Sequence, residues 1–278
     1  MFNNIGFMQG RLSPIVDGKI QAFPLAHWRE EFSAAETLGI TLMEWTLDHE
    51  GLYNNPLINS DGRSEVLHLC KQHGIEIPSI TGDCFMQAPF YKATELKRQE
   101  LLAELDAVLT ALGDIGGGQV VIPLVDNGSL DTPDQGQVLF NVLQERNSLL
   151  RENKIIITFE VDLAPKLAAE FISTYPSDCF GINYDIGNSA ALGYDPHEEF
   201  AAYGERITNV HVKDRLRGGT TVPLGEGAAD FNAVFKELAR QNYSGNYILQ
   251  TARAKHNDHS IVLARYAQMT TDWIKAAR

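Results

Sequence analysis

Apolar residues gather into eight short runs spaced along the chain: 4–9 (NIGFMQ), 40–45 (ITLMEW), 75–80 (IEIPSI), 119–124 (QVVIPL), 154–161 (KIIITFEV), 179–185 (CFGINYD), 207–212 (ITNVHV) and 246–251 (NYILQT). Most are rich in Ile and Val and alternate little, which suits strands covered on both faces in a parallel sheet. Segments of helical period lie between them. In YKATELKRQELLAELDAVLTALG, residues Leu101, Leu105, Val108 and Leu112 fall on one stripe. Gly39 and Gly74 stand where helices should stop, and Asp195 before Pro196, like Asp230, reads as an N-cap. Strand and helix therefore alternate eight times, which predicts an α/β fold closed into a (β/α)8 TIM barrel. The alternative, an open doubly wound sheet, usually shows a glycine-rich phosphate loop after an early strand. Here the glycines at 116–118 precede a strand and read as a helix-to-strand turn. No repeat, linker or low-complexity tract breaks the pattern, so a single domain over 1–278 is expected.

Composition narrows the class. With 23 Lys+Arg against 36 Asp+Glu the formal charge is -13, which repels phosphate backbones and anionic lipid. No nucleic acid and no membrane are expected as partners, although a local basic pocket could bind a small anion. The three cysteines are far apart and form no CxxC pair, so neither a disulfide framework nor a thiolate zinc site is indicated. With no signal-peptide pattern and no long apolar run, a cytoplasmic location is expected.

In a barrel of this kind the reactive groups project from the C-terminal strand ends. Those ends carry Gln9 and Arg11, Glu44, Asp83, Asp126, Glu160 and Asp162, Asp185 and Asn188, His211, Lys213 and Asp214, and Gln250 and Arg253. Glu160, Asp185, His211 and Gln250 tip the last four strands in turn and would form an arc around one mouth. Three oxygens and an imidazole suit one divalent metal ion: Mn²⁺, Zn²⁺, Co²⁺ or Mg²⁺. Taken singly, each has a structural reading: a strand-end salt bridge for Glu160, a turn cap for Asp185, a core histidine for His211, a buried amide for Gln250. Their joint placement favours the metal. Phe85, Phe90, Tyr91 and Trp45 lie near strands two and three; most read as packing, with an apolar wall for a sugar as the other reading.

The chain resembles the xylose-isomerase-like TIM barrels, the sugar phosphate isomerases and epimerases. The resemblance spans nearly the whole chain and is most specific in MQGRLSP, TFEVD, NYDIGNSAALGYDP, HVKDR, VPLGEG and ILQTAR. It implies one divalent metal held by Glu160, Asp185, His211 and, at the fourth position, Gln250. It also implies a substrate contact at Arg217, six residues past the histidine. Two positions depart from the family's epimerases: Gln250 replaces a Glu that doubles as acid or base, and Asn188 stands where ketose epimerases carry a His. A glutamine cannot take a proton at neutral pH. Glu160 is then the expected catalytic base, removing the proton α to a carbonyl while the metal stabilises the enediolate. One base suffices for aldose–ketose isomerisation, whereas inversion needs a second acid, which Glu44, Asp83, Asp162 or Glu226 could supply.

Arg11, Lys213 and Arg217 are expected anion contacts for a sugar phosphate or carboxylate, and Glu44 and Asn188 complete the substrate-binding set. The glycine-dense RGGTTVPLGEG stretch (217–227) reads as a mobile flap or a long turn. A small-molecule sugar or sugar phosphate is the expected partner, with a homo-oligomer possible. A lyase on the same scaffold, an abasic-site endonuclease and a non-catalytic sugar-binding protein are the competing readings. The endonuclease is disfavoured because only eight His are present.

Overall fold

The computed structural model describes residues 4–278. Its first half contains β1 (Ile5–Met8), α1 (Glu30–Leu38), β2 (Leu42–Thr46), α2 (Ser60–His73), β3 (Glu76–Thr81), α3 (Asp83–Gln87), α4 (Glu95–Asp114) and β4 (Gly118–Leu124). There follow α5 (Pro133–Gln144), α6 (Asn147–Glu152), β5 (Ile155–Val161), α7 (Pro165–Ser173), β6 (Phe180–Asp185), α8 (Ile186–Leu192) and α9 (Pro196–Tyr203). The last part comprises β7 (Ile207–Val212), a short hairpin of β8 (Asp214–Arg215) and β9 (Thr221–Val222), α10 (Phe231–Arg240), β10 (Asn246–Leu249) and α11 (His259–Ala277). Strands β1 to β7 and β10 pair in parallel and in chain order, and β10 closes on β1, so the sheet is a complete TIM barrel.

The eight expected strands are these eight, shifted by at most a few residues at their ends. The capping chemistry also acts as expected. Gly39 and Gly74 end α1 and α2 in the left-handed conformation. Asp195 accepts from His197 N–H and Asp230 from Ala233 N–H. Gly116, Gly117 and Gly118 all have positive φ (110, 84 and 137°) and turn α4 into β4. A side chain on Gly117 would strike the Asn153 and Lys154 carbonyls, so this turn requires glycine.

The strands are not apolar on both faces. Met43 and Trp45, Ile157 and Phe159, Ile182 and Tyr184, and Val210 and Val212 belong to the buried apolar shell. Alternate positions are buried and polar: Glu44 and Thr46, Ser79 and Thr81, Thr158 and Glu160, Asn183 and Asp185, Asn209 and His211. Side chains two apart share a face, and bonds across the ring from β7 to β2 place this polar set in the lumen. The helices thus cover an apolar outer face, while much of the interior is a hydrogen-bonded network, with Met8, Val121 and Ile248 as its apolar members, instead of the usual layers made mostly of branched apolar side chains. Trp45 packs with Phe23, Trp28 and Phe32, and Phe85 and Phe90 pack edge to face, so these aromatics serve the shell. Tyr91 is buried beside Phe90 and donates to the Gly128 carbonyl.

Candidate metal and catalytic site

His211 is at the centre. It is fully buried near the end of β7, and Nε2 lies 2.8 Å from Glu44 Oε1 across the barrel. Glu44 also accepts from Ser79 Oγ (2.7 Å) and Asn209 Nδ2 (3.0 Å), which offsets the cost of burying its charge. On the other side, His211 Nδ1 stands 3.2 Å from Glu160 Oε2 and 4.0 Å from Asp185 Oδ2. Glu160, Asp185 and His211 each direct a ligand atom into one cluster, all within 4.8 Å of one another. Burial alone would lower the imidazole pKa, but Glu44 and Glu160 outweigh it and raise it to about 10.

The donor set fits a divalent cation. When Nε2–H donates to Glu44, Nδ1 is an acceptor 3.0 Å from Asn183 Nδ2 and turned toward two carboxylates, the arrangement by which an outer carboxylate fixes a metal-binding histidine. A proton and a cation would then compete for the same nitrogen. Glu160 is held by two amides, Asn183 Nδ2 to Oε2 at 2.9 Å and Asn188 Nδ2 to Oε1 at 2.5 Å. Asp185 does both things foreseen for it: Oδ1 caps α8 by accepting from Asn188 N–H at 2.8 Å, and Oδ2 joins the cluster. Gln250 is turned inward beside the cluster, where Lys213 Nζ donates both to its Oε1 and to Asp185 Oδ2, each at 3.1 Å.

These groups open on a mouth cavity of about 520 Å³, lined among others by Asp83, Glu160, Asn188, Lys213, Arg215 and Gln250. A hollow of about 550 Å³ near the start of β10 has no carboxylate or histidine in its lining.

Three of the expected substrate contacts sit elsewhere. Arg11 is buried, with Nε on the Thr251 carbonyl (2.8 Å) and Nη1 on the Ile20 carbonyl (3.1 Å) and Gln21 Oε1 (2.8 Å). Burial and nearby Arg253 lower its pKa to about 9. It ties the β1 tip to the β10 tip and positions Gln21, which lines the cavity in its place. Glu44 lies beneath His211, saturated by its three donors. Arg217 is exposed and packs over Gly193, where any side chain would collide with its guanidinium.

The arginine that does reach the cavity, alongside Lys213, is Arg215, which donates to Asn188 Oδ1 (2.8 Å) and to the Gly219 carbonyl. A signal for it was present: His211, Lys213 and Arg215 alternate along extended backbone and so share one side. The following turn is built, not loose. Asp214 accepts from the N–H groups of Gly225, Gly227 and Ala229, so the 217–227 stretch is a long turn tied to the barrel.

Asp83, at the start of α3, is 7% exposed and bonded by Thr81 Oγ1 at 3.1 Å. Burial, with Asp48 adding to it, raises its pKa from 3.8 to about 7. An acid raised in the folded state keeps a proton that the unfolded chain has already released, so stability falls as pH rises from 3.8 to about 7. Asp83→Asn abolishes that loss. In the metal-free protein its melting temperature should match the parent's at about pH 4 and exceed it at about pH 8, by an amount worth a few kcal/mol, on the order of what ~3 pKa units carry. Equal gaps at both pH values, read by scanning calorimetry, would refute this.

The model of the family described as xylose isomerase-like TIM barrel matches residues 32–275. L-ribulose-5-phosphate 3-epimerase UlaE of Salmonella typhi is 24% identical over 259 residues, covering 90% of this chain and 89% of the relative. Among solved structures, an IOLI protein with a zinc atom superimposes with a TM-score of 0.76 at 16% identity, covering 99% of both chains. A xylose isomerase-like TIM barrel protein from Mycobacterium smegmatis in complex with magnesium gives 0.68 at 16% identity, covering 98% of this chain and 97% of that one. A match this long, on a closed barrel with a buried Glu–Asp–His cluster at its mouth, shows that the chain belongs to the xylose isomerase-like TIM barrel family.

Proposed function

We propose that the chain is a divalent-metal-dependent isomerase or epimerase of a sugar or sugar phosphate, acting by removal of the proton α to a carbonyl. The observation that carries this reading is the buried convergence of Glu160, Asp185 and His211 beside a mouth cavity that Glu160 itself lines. Glu160, Asp185 and His211, with Gln250 beside them, would hold the metal. When bound, that ion supplies Lewis-acid stabilisation to substrate oxygens that gain negative charge. Glu160 takes the proton onto a carboxylate oxygen, kept in place by Asn183 and Asn188. His211 is kept in one orientation by Glu44. Lys213, Arg215 and Asn188 face the cavity and orient the substrate, the two cations suiting an anionic group in an otherwise acidic protein.

The test is elemental analysis of purified protein, followed by proton NMR of ketoses and ketose phosphates in D₂O before and after chelation. The expected result is a bound divalent ion and exchange of the α proton that stops on chelation and returns with Mn²⁺, Zn²⁺, Co²⁺ or Mg²⁺. Exchange indifferent to chelation, or no exchange with any metal, overturns the reading.

A further inference from the structure

Gln250 leaves the ligand arc with one proton-transfer carboxylate, Glu160, yet inversion at carbon needs a proton group on each side of the substrate. Four other acids were candidates, and geometry separates them. Glu44 is sealed under His211. Asp162 accepts from Ser129 Oγ outside the cavity lining. Glu226 is exposed on the turn that Asp214 holds. Asp83 alone of the four lines the cavity. Asp126 also touches the cavity but is exposed at its rim.

Position strengthens the case. In the closed ring β3 stands four strands from β7, directly across the barrel. Asp83 follows the end of β3, so it enters the cavity opposite His211 on β7 and two strands round the ring from Glu160 on β5, on a different wall. A substrate lying between these walls can turn one side to Glu160 and another to Asp83.

We propose that the Asp83 carboxyl is the second proton-transfer group of this cavity, reaching the substrate from a different wall than Glu160, so that the chain inverts a carbon next to the carbonyl despite Gln250. This rests on the α-proton chemistry proposed above. Glu160 removes the proton and becomes an acid as the enediolate forms. Asp83 then delivers its own proton to the opposite face of the same carbon and becomes a carboxylate. Afterwards Glu160 returns its proton to solvent and Asp83 takes one up, restoring both groups. Raised by burial to about 7, Asp83 supplies both protonation states near neutral pH. The charged groups facing it are Asp48, Glu160, His211 and Arg11.

The experiment incubates metal-loaded parent protein and Asp83→Asn in D₂O with L-ribulose 5-phosphate, the ketose named for the Salmonella relative, and separately with its C3 epimer. Asparagine keeps an acceptor for Thr81 but holds no transferable acidic proton. The parent should exchange and invert both ketoses. In Asp83→Asn, inversion should fall by about 10²-fold or more. Deuterium should still enter one epimer with retention of configuration, because Glu160 still works there. The other epimer should lose both exchange and inversion. Inversion by the variant within threefold of the parent overturns the role of Asp83 and leaves the broader reading intact. A parent that exchanges but yields only an aldose also overturns it. A parent that exchanges neither ketose brings down the underlying reading, and the role of Asp83 with it.

Discussion

Glu160→Gln is expected to lower turnover by about 10²–10⁴-fold, the usual contribution of a positioned proton-transfer group. The exchange is nearly isosteric, and the amide oxygen still serves a cation. What disappears is the ability to take a proton at neutral pH. The new amide also faces two donors, Asn183 Nδ2 and Asn188 Nδ2, so one of these must turn to avoid pairing donor with donor. Metal content by elemental analysis and turnover by NMR should be measured on the same sample. A variant that keeps its metal and works within tenfold of the parent would remove Glu160 from the role of base.

Glu44→Ala should have the largest effect on the fold. It leaves His211 Nε2, Ser79 Oγ and Asn209 Nδ2 without their shared acceptor in a lumen closed to water. Breaking a buried charged pair on one side typically costs about 3–5 kcal/mol. For a chain of this size that lowers the melting temperature by something on the order of 10 °C. Glu44→Gln keeps the shape and one of the two acceptor oxygens, but loses the charge that fixes the imidazole. Metal affinity should then weaken by about 10–100-fold with a smaller change in melting temperature. Calorimetry and metal titration separate the two effects. An Ala variant that melts with the parent would show that the lumen network is not what holds His211.

Much of the barrel was legible because its signals are local. Ile- and Val-rich runs, the glycine stops at Gly39 and Gly74 and the caps at Asp195 and Asp230 each depend on neighbours within a few residues. The convergence of Glu160, Asp185 and His211 was legible for a geometric reason: consecutive parallel strands bring their tips to one end. The polar lumen was not. Glu44 and His211 are separated by 167 residues, and no local pattern reports that their strands, three apart in the closed ring, bring these side chains together in the lumen. Glu44 therefore read as a substrate contact when it is the support beneath the histidine. Arg11 and Arg217 lie away from the cavity lining for related reasons. Cations near a mouth look alike in a sequence, but one spends its donors on backbone carbonyls while the other lies beyond the end of the extended segment. Asp83 stood out only as one of several strand-end acids, because enclosure by the opposite wall is a property of the closed ring.

Lys213 has a consequence for how the protein is made. Its ammonium touches Asp185 and Gln250, so the chain brings its own counter-ion to a place where carboxylates crowd together. Mutual repulsion of these acids is thereby eased in the fold by the chain's own ammonium. Loading can follow as a late exchange of one positive charge for another on a scaffold already set. Supply of the ion would then govern how many molecules work and leave the number that mature largely unchanged.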